Sequence, residues 1–185
     1  ENQVPEFSSR YQVITFDLRG HGRSDKPAGP YRMGMFAADT VALLRALGVQ
    51  QAHVVGLSLG GGIGFQLAVD APSVVKTLVV VNSGPELMIH TFGDRLAVWQ
   101  RVAVVRLMGM REMGRVLSKR LFVEPGQQAQ RDDFVARWAE NDPRAYLAAF
   151  RSMLNWSVTG RLGTIACPTL VITADHDYSP VAVKQ

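Results

Sequence analysis

The stretch Ala52-His-Val-Val-Gly-Leu-Ser-Leu-Gly-Gly-Gly-Ile-Gly64 joins a short β-branched run to a segment that can continue only as a helix. It contains the pattern G-x-S-x-G, with Ser58 at the centre and Gly56 and Gly60 on either side. Between a strand and a helix, this pattern is typical of a sharp turn that raises a serine hydroxyl above the end of a sheet. We therefore expect a strained backbone at Ser58, and glycine at both flanking positions because side chains there would collide.

Such a turn also prepares the serine for nucleophilic chemistry. The backbone N–H of Leu59 lies at the positive end of the following helix, where it would point toward an oxyanion forming on a bound ester. Two other interpretations are an ordinary glycine-rich turn and a dinucleotide-binding loop. No G-x-G-x-x-G frame fits Gly56 to Gly64 and no Gly-Lys-Ser/Thr follows, so the dinucleotide loop is disfavoured.

The composition is that of a globular protein with one domain, or one domain with an insertion. The 185 residues are 47% hydrophobic and 19% charged, which is enough apolar material for a sizeable core. The net charge of +4 is modest, so no nucleic-acid partner is predicted, and no apolar run approaches the ~20 residues of a membrane span. The single cysteine, Cys167, excludes an internal disulfide and suits a reducing compartment such as the cytoplasm. Since the sequence begins with Glu1, a preceding targeting segment stays open.

Strand and helix patterns alternate along most of the chain. The alternation predicts a parallel α/β sheet with right-handed crossovers. The predicted strands are Tyr11–Asp17, a short run around Val54, Lys76–Asn82 and Cys167–Thr173, and the predicted helices are Tyr31–Leu47 and the segment from Ser58 to near Asp70.

Residues 86 to about 160 have a different sequence pattern: their apolar residues recur at helical spacing, and no credible strand is present. We expect them to form a lid over the carboxyl ends of the strands, where open α/β sheets bind ligands. The predicted division is therefore 1–85 for the first part of the core, 86–160 for the cap and 161–185 for the second part of the core. One apolar stripe in the cap is expected to pack between helices, with lining of a substrate pocket as the alternative: Leu96, Trp99, Ala103, Leu107 and Met110.

Three ordered motifs resemble landmarks of the α/β-hydrolase superfamily. They are Asp17-Leu-Arg-Gly-His-Gly-Arg-Ser24, Gly56-Leu-Ser-Leu-Gly60 and Ala174-Asp-His-Asp-Tyr-Ser-Pro180. The resemblance spans essentially the whole chain, with the helical block where that family carries its cap. It is strongest to the cofactor-free branch that contains enol-lactone hydrolases, carbon–carbon bond hydrolases, esterases and haloperoxidase-like perhydrolases. Gly-Leu-Ser-Leu-Gly-Gly is similar to the turn of the enol-lactone hydrolases in particular.

The resemblance implies roles for individual residues. Ser58 becomes the nucleophile, the Leu59 N–H one oxyanion donor, and Asp177 the triad acid, with Asp175 as the alternative. A serine at this site argues against dehalogenases and epoxide hydrolases, which carry aspartate there. The family needs no cofactor, and the four histidines are too scattered to predict a metal site: His21, His53, His90 and His176.

The triad histidine of this family follows the acid, and Tyr178 to Gln185 contain no histidine. His21 and His53 are interpreted as structural residues of a turn and of a strand. Only ten residues precede Tyr11, whereas the family has two or three strands there, one of which lies between the Tyr11 and Val54 strands. The resemblance therefore implies an internal fragment that lacks N-terminal strands, the C-terminal strand and helix, the histidine and half of the oxyanion hole. Alone it is expected to be inactive and to expose strand edges.

The predicted function is hydrolysis of an ester, a lactone or a related carbonyl substrate by a Ser-His-Asp triad whose histidine lies beyond this chain. The partner implied is a small-molecule substrate, and no membrane partner is implied. Carbon–carbon bond hydrolysis or perhydrolysis by the same triad is one alternative. A member of the fold that binds a ligand without catalysis is another. The sequence leaves the substrate and the oligomeric state open.

Overall fold

The structure, a computed structural model, describes residues 3–174. Its helices and strands follow one another along the chain in an alternating order that ends in a largely helical second half. In chain order these elements are α1 (Gln3–Ser8), α2 (Met33–Ala46), β1 (Ala52–Leu57), α3 (Leu59–Asp70), β2 (Val75–Val81), β3 (Glu86–Leu87), α4 (Phe92–Leu121), α5 (Gln128–Ala139), α6 (Pro143–Met153), β4 (Trp156–Ser157) and β5 (Thr169–Ile172).

The main sheet is parallel and has the strand order β1-β2-β5 within the described residues. The β-branched run of β2 occupies the middle position, and Leu78 and Val80 are 0% exposed there. A central parallel strand is covered on both faces, which explains the apolar run from Leu78 to Val81. The predicted parallel α/β architecture is confirmed.

The predicted strand over Tyr11–Asp17 is wrong for this structure, which assigns no strand to that segment. An extended segment becomes a strand only when its backbone groups pair with a neighbour. The segment does come close to β1, because the ring of Tyr11 meets the ring of His53 edge-on at 5.8 Å between centroids. It forms no ladder there, so β1 stays an edge of the described sheet.

Two glycines of helix α3 face the sheet, where they leave little room for a side chain. A Cβ atom at Gly61 would lie 2.6 Å from Ser83 Cβ, and one at Gly64 would lie 2.8 Å from Leu78 Cδ1. Neither distance is compatible with a side chain. Helix α3, which begins next to Ser58, therefore packs directly on the sheet at these two glycines.

The chain between β2 and β5 is dominated by α4, α5 and α6, as predicted for residues 86–160. The expectation that it holds no strand is wrong, since Glu86–Leu87 pairs antiparallel with Trp156–Ser157. Two-residue strands carry too little pattern to be read from sequence, and this pair joins segments far apart in the chain. The pair closes the base of the helical region, where the chain enters and leaves it.

The predicted apolar stripe of α4 is mostly exposed. Leu96, Trp99 and Leu107 are 46%, 77% and 83% exposed, and Met110 is buried. Helix α4 packs through a different face, which includes the fully buried Val105, and its backbone departs from helical geometry at Gly109. The interpretation of the stripe as helix–helix core is therefore wrong for its first part. No helix within residues 3–174 combines the length and the apolar character that crossing a bilayer requires.

Candidate active site

Ser58 occupies the turn between β1 and α3, with φ 52° and ψ −114°. A positive φ is strained for a residue with a side chain, so the predicted strain at Ser58 is confirmed. Two backbone hydrogen bonds hold the turn: Ser58 N–H donates to the Val81 carbonyl at 2.9 Å, and Gly62 N–H donates to the Ser58 carbonyl at 3.1 Å. The half-buried serine is thereby fixed at the carboxyl ends of β1 and β2.

The two glycines of the G-x-S-x-G pattern are not equivalent. A Cβ atom at Gly56 would lie 2.2 Å from the Gly60 carbonyl oxygen and 2.6 Å from Gly61 N, so the strand before Ser58 admits no side chain. A Cβ atom at Gly60 would meet nothing within 4 Å. The expectation that both positions exclude side chains is confirmed for Gly56 and wrong for Gly60, because the Gly60 Cβ direction points away from the turn.

Leu59 is the first residue of α3, and backbone N–H groups in a first helical turn have no acceptor within the helix. Its side chain packs against a buried cluster that contains Ile63 of the same helix and Ala145 and Ala149 of α6. The residue that follows Ser58 therefore packs against a cluster to which both α3 and α6 contribute. The role of the Leu59 N–H as an oxyanion donor stays a prediction.

The loop between Asp17 and Asp25 is closed by its own hydrogen bonds. The Asp17 carboxylate accepts the Arg23 N–H at 3.0 Å, and the Ser24 hydroxyl donates to the Asp17 carbonyl at 2.5 Å. Arg19 makes a two-point ion pair with Asp39 of α2, and the hydrogen bond to Asp39 raises the pKa of the Arg19 guanidinium. The motif therefore fastens the loop to α2.

The two described histidines that were interpreted as structural have local partners. His21 Nδ1 lies 3.1 Å from the Arg19 carbonyl oxygen within its turn, and His53 Nδ1 lies 2.8 Å from Thr77 Oγ1 of β2. Within residues 3–174, no three His, Cys, Asp or Glu side chains are close enough together to hold a metal ion. A cavity of about 450 Å³ lies between Gly29–Tyr31 and α6, and Ser58 is not among its lining residues.

The predicted acid residues, Asp177 and the alternative Asp175, lie outside the described residues. The last described residue, Ala174, donates its N–H to the Asn82 side chain at 2.8 Å, and Asn82 N–H donates to the Ile172 carbonyl at 2.8 Å. Since Ser58 N–H is bonded to Val81, the ends of β1, β2 and β5 meet at one edge of the sheet. Asn82, which has a φ of 46°, was missed from the sequence; an asparagine at a strand end is the signal that could have found it.

Residues 1–103 match the family described as the alpha/beta hydrolase fold. The chain is also 30% identical over 181 residues to 3-oxoadipate enol-lactonase 2 of Acinetobacter baylyi, which covers 96% of this chain and 66% of that protein. This chain belongs to the α/β-hydrolase family. The predicted family is thus confirmed from sequence. The matched residues include β1, Ser58 and α3.

The chain is also similar to other hydrolases, both in sequence and in structure. A putative carbamate hydrolase RutD of Azorhizobium caulinodans is 32% identical over 183 residues, covering 95% of this chain and 67% of that protein. A hydrolase from Pseudomonas aeruginosa has a TM-score of 0.82 at 30% identity, over 94% of this chain and 65% of its own. The enol-lactonase of Burkholderia xenovorans has the same TM-score at 22% identity, over 92% of this chain and 65% of its own, which shows the shared fold.

The chain spans about two thirds of the length of these relatives. The described sheet is accordingly a part of the α/β-hydrolase fold, in agreement with the expectation of missing strands. The division of the chain into core and cap at residues 86 and 160 stays a prediction.

Proposed function

We propose that the complete protein containing this chain is a serine hydrolase that acts on an ester, a lactone or a related carbonyl substrate. The observation that carries the proposal is Ser58 at φ 52° in the tight turn between β1 and α3, at the edge of the sheet where three strand ends meet. The relationship to an enol-lactonase supports the lactone and ester classes among carbonyl substrates.

In this proposal the Ser58 hydroxyl oxygen forms a bond to the substrate carbonyl carbon while a histidine from outside these 185 residues takes its proton. The Leu59 N–H donates to the oxyanion that develops. The intermediate collapses, the leaving oxygen receives the proton from histidine, and water then attacks the acyl group to release the acid and restore Ser58. Asp177 orients the histidine and stabilises its positive charge.

The position proposed for Asp177 is supported by the hydrogen bonds at the end of β5. Ala174, the last described residue, is tied to Asn82 at the same edge of the sheet as Ser58.

The test uses the complete gene product and its hydrolysis of p-nitrophenyl acetate and of an enol-lactone. We expect Ser58→Ala to lower kcat by a factor of about 10⁶ and Asp177→Asn by about 10⁴, because the members of a triad act as a unit. Ser9→Ala, at an exposed position, is the matched loss of a hydroxyl and leaves kcat unchanged. Wild-type rates in Ser58→Ala would contradict the proposal, as would a complete protein that lacks a histidine after Asp177.

A further inference from the structure

Trp156 connects the base of the helical region to the helix that begins at Ser58. Its indole N–H donates to Gln66 Oε1 of α3 at 2.6 Å, and its ring lies 3.4 Å from where a Cβ of Gly62 would stand. Gly62 is also the residue whose N–H holds the Ser58 carbonyl. A single side chain thus contacts α3 one helical turn after the nucleophile.

The bond has a fixed direction because of the chemistry of its partners. An indole N–H only donates and an ionised carboxylate only accepts. Gln66 lies between them: its Oε1 accepts from Trp156, and its Nε2 donates to Asp70 Oδ2 at 2.6 Å. Gln66 is 8% exposed, so turning its amide would leave buried polar atoms without partners.

A second contact extends the connection along the same face of α3. Arg161 donates to the Asp70 carboxylate at 2.7 Å and to the Val69 carbonyl at 2.7 Å. Gly62, Gln66 and Asp70 are spaced four residues apart and therefore share one side of the helix. The chain that returns from α6 is consequently fastened along α3 from Trp156 to Arg161.

Trp156 also belongs to β4, whose pairing with β3 closes the base of the helical region. Leu87 pairs with Trp156, Asn155 N–H donates to the Leu87 carbonyl at 2.8 Å, and Val158 N–H donates to the Pro85 carbonyl at 2.9 Å. Both passages of the chain between the sheet and α4–α6 therefore run through one small unit. That unit is bonded to α3 through Gln66.

We propose that Trp156 and Gln66 are positioning residues, whose hydrogen bond fixes the β3–β4 pair and the helical region α4–α6 relative to Ser58. The consequence for catalysis rests on the proposed function. Because Leu59 packs against a buried cluster to which α6 contributes Ala145 and Ala149, a shift of this region changes the space for an acyl group beside Ser58. We expect that shift to lower kcat/KM for substrates with large acyl groups and to leave kcat/KM for an acetyl ester unchanged.

The experiment compares Trp156→Phe and the double variant Trp156→Phe/Gln66→Leu in the complete protein. Trp156→Phe leaves the buried Gln66 Oε1 without its hydrogen-bond donor, so we expect the Tm to fall by about 2–12 °C. The double variant removes both partners of this bond. It also removes the bond from Gln66 to Asp70, but the partly exposed Asp70 carboxylate keeps Arg161, so the Tm returns toward that of the wild type. A purely structural role would restore function together with the Tm, whereas a positioning role would not.

Two readouts decide the outcome. In the double variant we expect amide exchange at Asn155 and Val158 to rise by about 10-fold or more while exchange in β2 is unchanged. We expect kcat/KM for p-nitrophenyl octanoate to fall by about 10- to 100-fold, with the acetate ester within about 2-fold of wild type. Trp138→Phe is the matched control, since Trp138 packs within the helical region by stacking on Phe134.

Unchanged exchange at Asn155 and Val158 would overturn the inference, and so would equal losses on both esters. A wild-type protein that hydrolyses neither these esters nor the enol-lactone would instead overturn the proposed function. In that case the exchange measurement still decides whether the Trp156–Gln66 bond fixes the β3–β4 pair.

Discussion

At the scale of single residues, the conformation of Ser58 has an energetic cost that its neighbours offset. A side-chain-bearing residue in such a sparsely populated region costs about 1–3 kcal/mol. The bonds of Ser58 N–H to Val81 and of Gly62 N–H to the Ser58 carbonyl each return about 1 kcal/mol, and the seating of α3 on the sheet prevents relaxation. The strained serine therefore depends on an intact contact between α3 and β2.

Gly56 and Gly60 give the sharpest prediction at this scale. Gly56→Ala places a Cβ 2.2 Å from the Gly60 carbonyl oxygen, a backbone atom that cannot move without distorting the turn. We expect it to lower the free energy of unfolding by about 3 kcal/mol or more. Gly60→Ala enters open space on a helix, so we expect it to be neutral or to stabilise by up to about 1 kcal/mol. Urea unfolding measures both.

The pair contains its own control, because the same chemical change is made on either side of Ser58. Equal destabilisation by the two substitutions would show that the turn, rather than the direction of the Cβ, excludes side chains at both positions.

The sequence predicted Ser58 and its strain because the pattern, the preceding β-branched run and the following helix all agree. It could not distinguish Gly56 from Gly60, since the pattern is symmetric and the Cβ directions follow only from the three-dimensional turn. The contact of Trp156 with Gln66 could not be predicted from the sequence either, because the two residues are 90 positions apart and only the fold brings them together.

At the scale of elements, the carboxylate of Glu86 connects β3 to β4 and to a residue shortly after it. Its carboxylate accepts hydrogen bonds from the Thr159 hydroxyl at 2.7 Å and the Ser157 hydroxyl at 2.8 Å. These two bonds, with a smaller contribution from His90, hold the pKa of Glu86 below its ordinary value of 4.5. The carboxylate therefore clamps β4 and the residues after it to β3.

We predict that the pair loosens in mild acid. Because the folded pKa is lowered, the ionised carboxylate stabilises the pair above pH 4.5, and this contribution is lost as the pH falls through the lowered pKa. NMR shifts of the Ser157 and Thr159 amides should follow this titration in the wild type and lose it in Glu86→Gln. Asp94 is a second exposed carboxyl, and its hydrogen bonds with Thr91 lower its pKa, so Asp94→Asn is the control that keeps the transition. A transition that survives in Glu86→Gln would assign it to another group.

Elements differed in how far the sequence determined them. The buried β2 and the helices α2 and α3 were predicted because their apolar patterns arise from contacts that this chain supplies. Tyr11–Asp17 has the pattern of a strand, and Tyr11 contacts His53 of β1, but the segment forms no ladder with β1, so propensity alone does not make it a strand. The stripe of α4 has helical spacing, and spacing cannot tell which face of a helix meets its neighbours.

At the scale of the whole molecule, the described sheet exposes much of its two outer strands. Val55 and Leu57 of β1 are 68% and 63% exposed, and Leu170 and Ile172 of β5 are 56% and 46% exposed. These apolar side chains lie on the two outer strands of the described sheet. The chain spans about two thirds of the length of its relatives.

We therefore predict that the isolated 185-residue chain associates with itself through β1. An edge strand presents unpaired backbone groups, and exposed valine and leucine beside them favour pairing with a second copy. Replacing Val55 and Leu57 by lysine places charge on that strand and should shift the chain toward monomer in sedimentation velocity runs at several concentrations. Val123→Lys, which changes a side chain that is 61% exposed outside the sheet, is the control and should leave association unchanged. If Val123→Lys reduces association as much as the β1 double variant does, net charge and not the strand edge governs association. If the unmodified chain is monomeric at every concentration, the edge of β1 is protected.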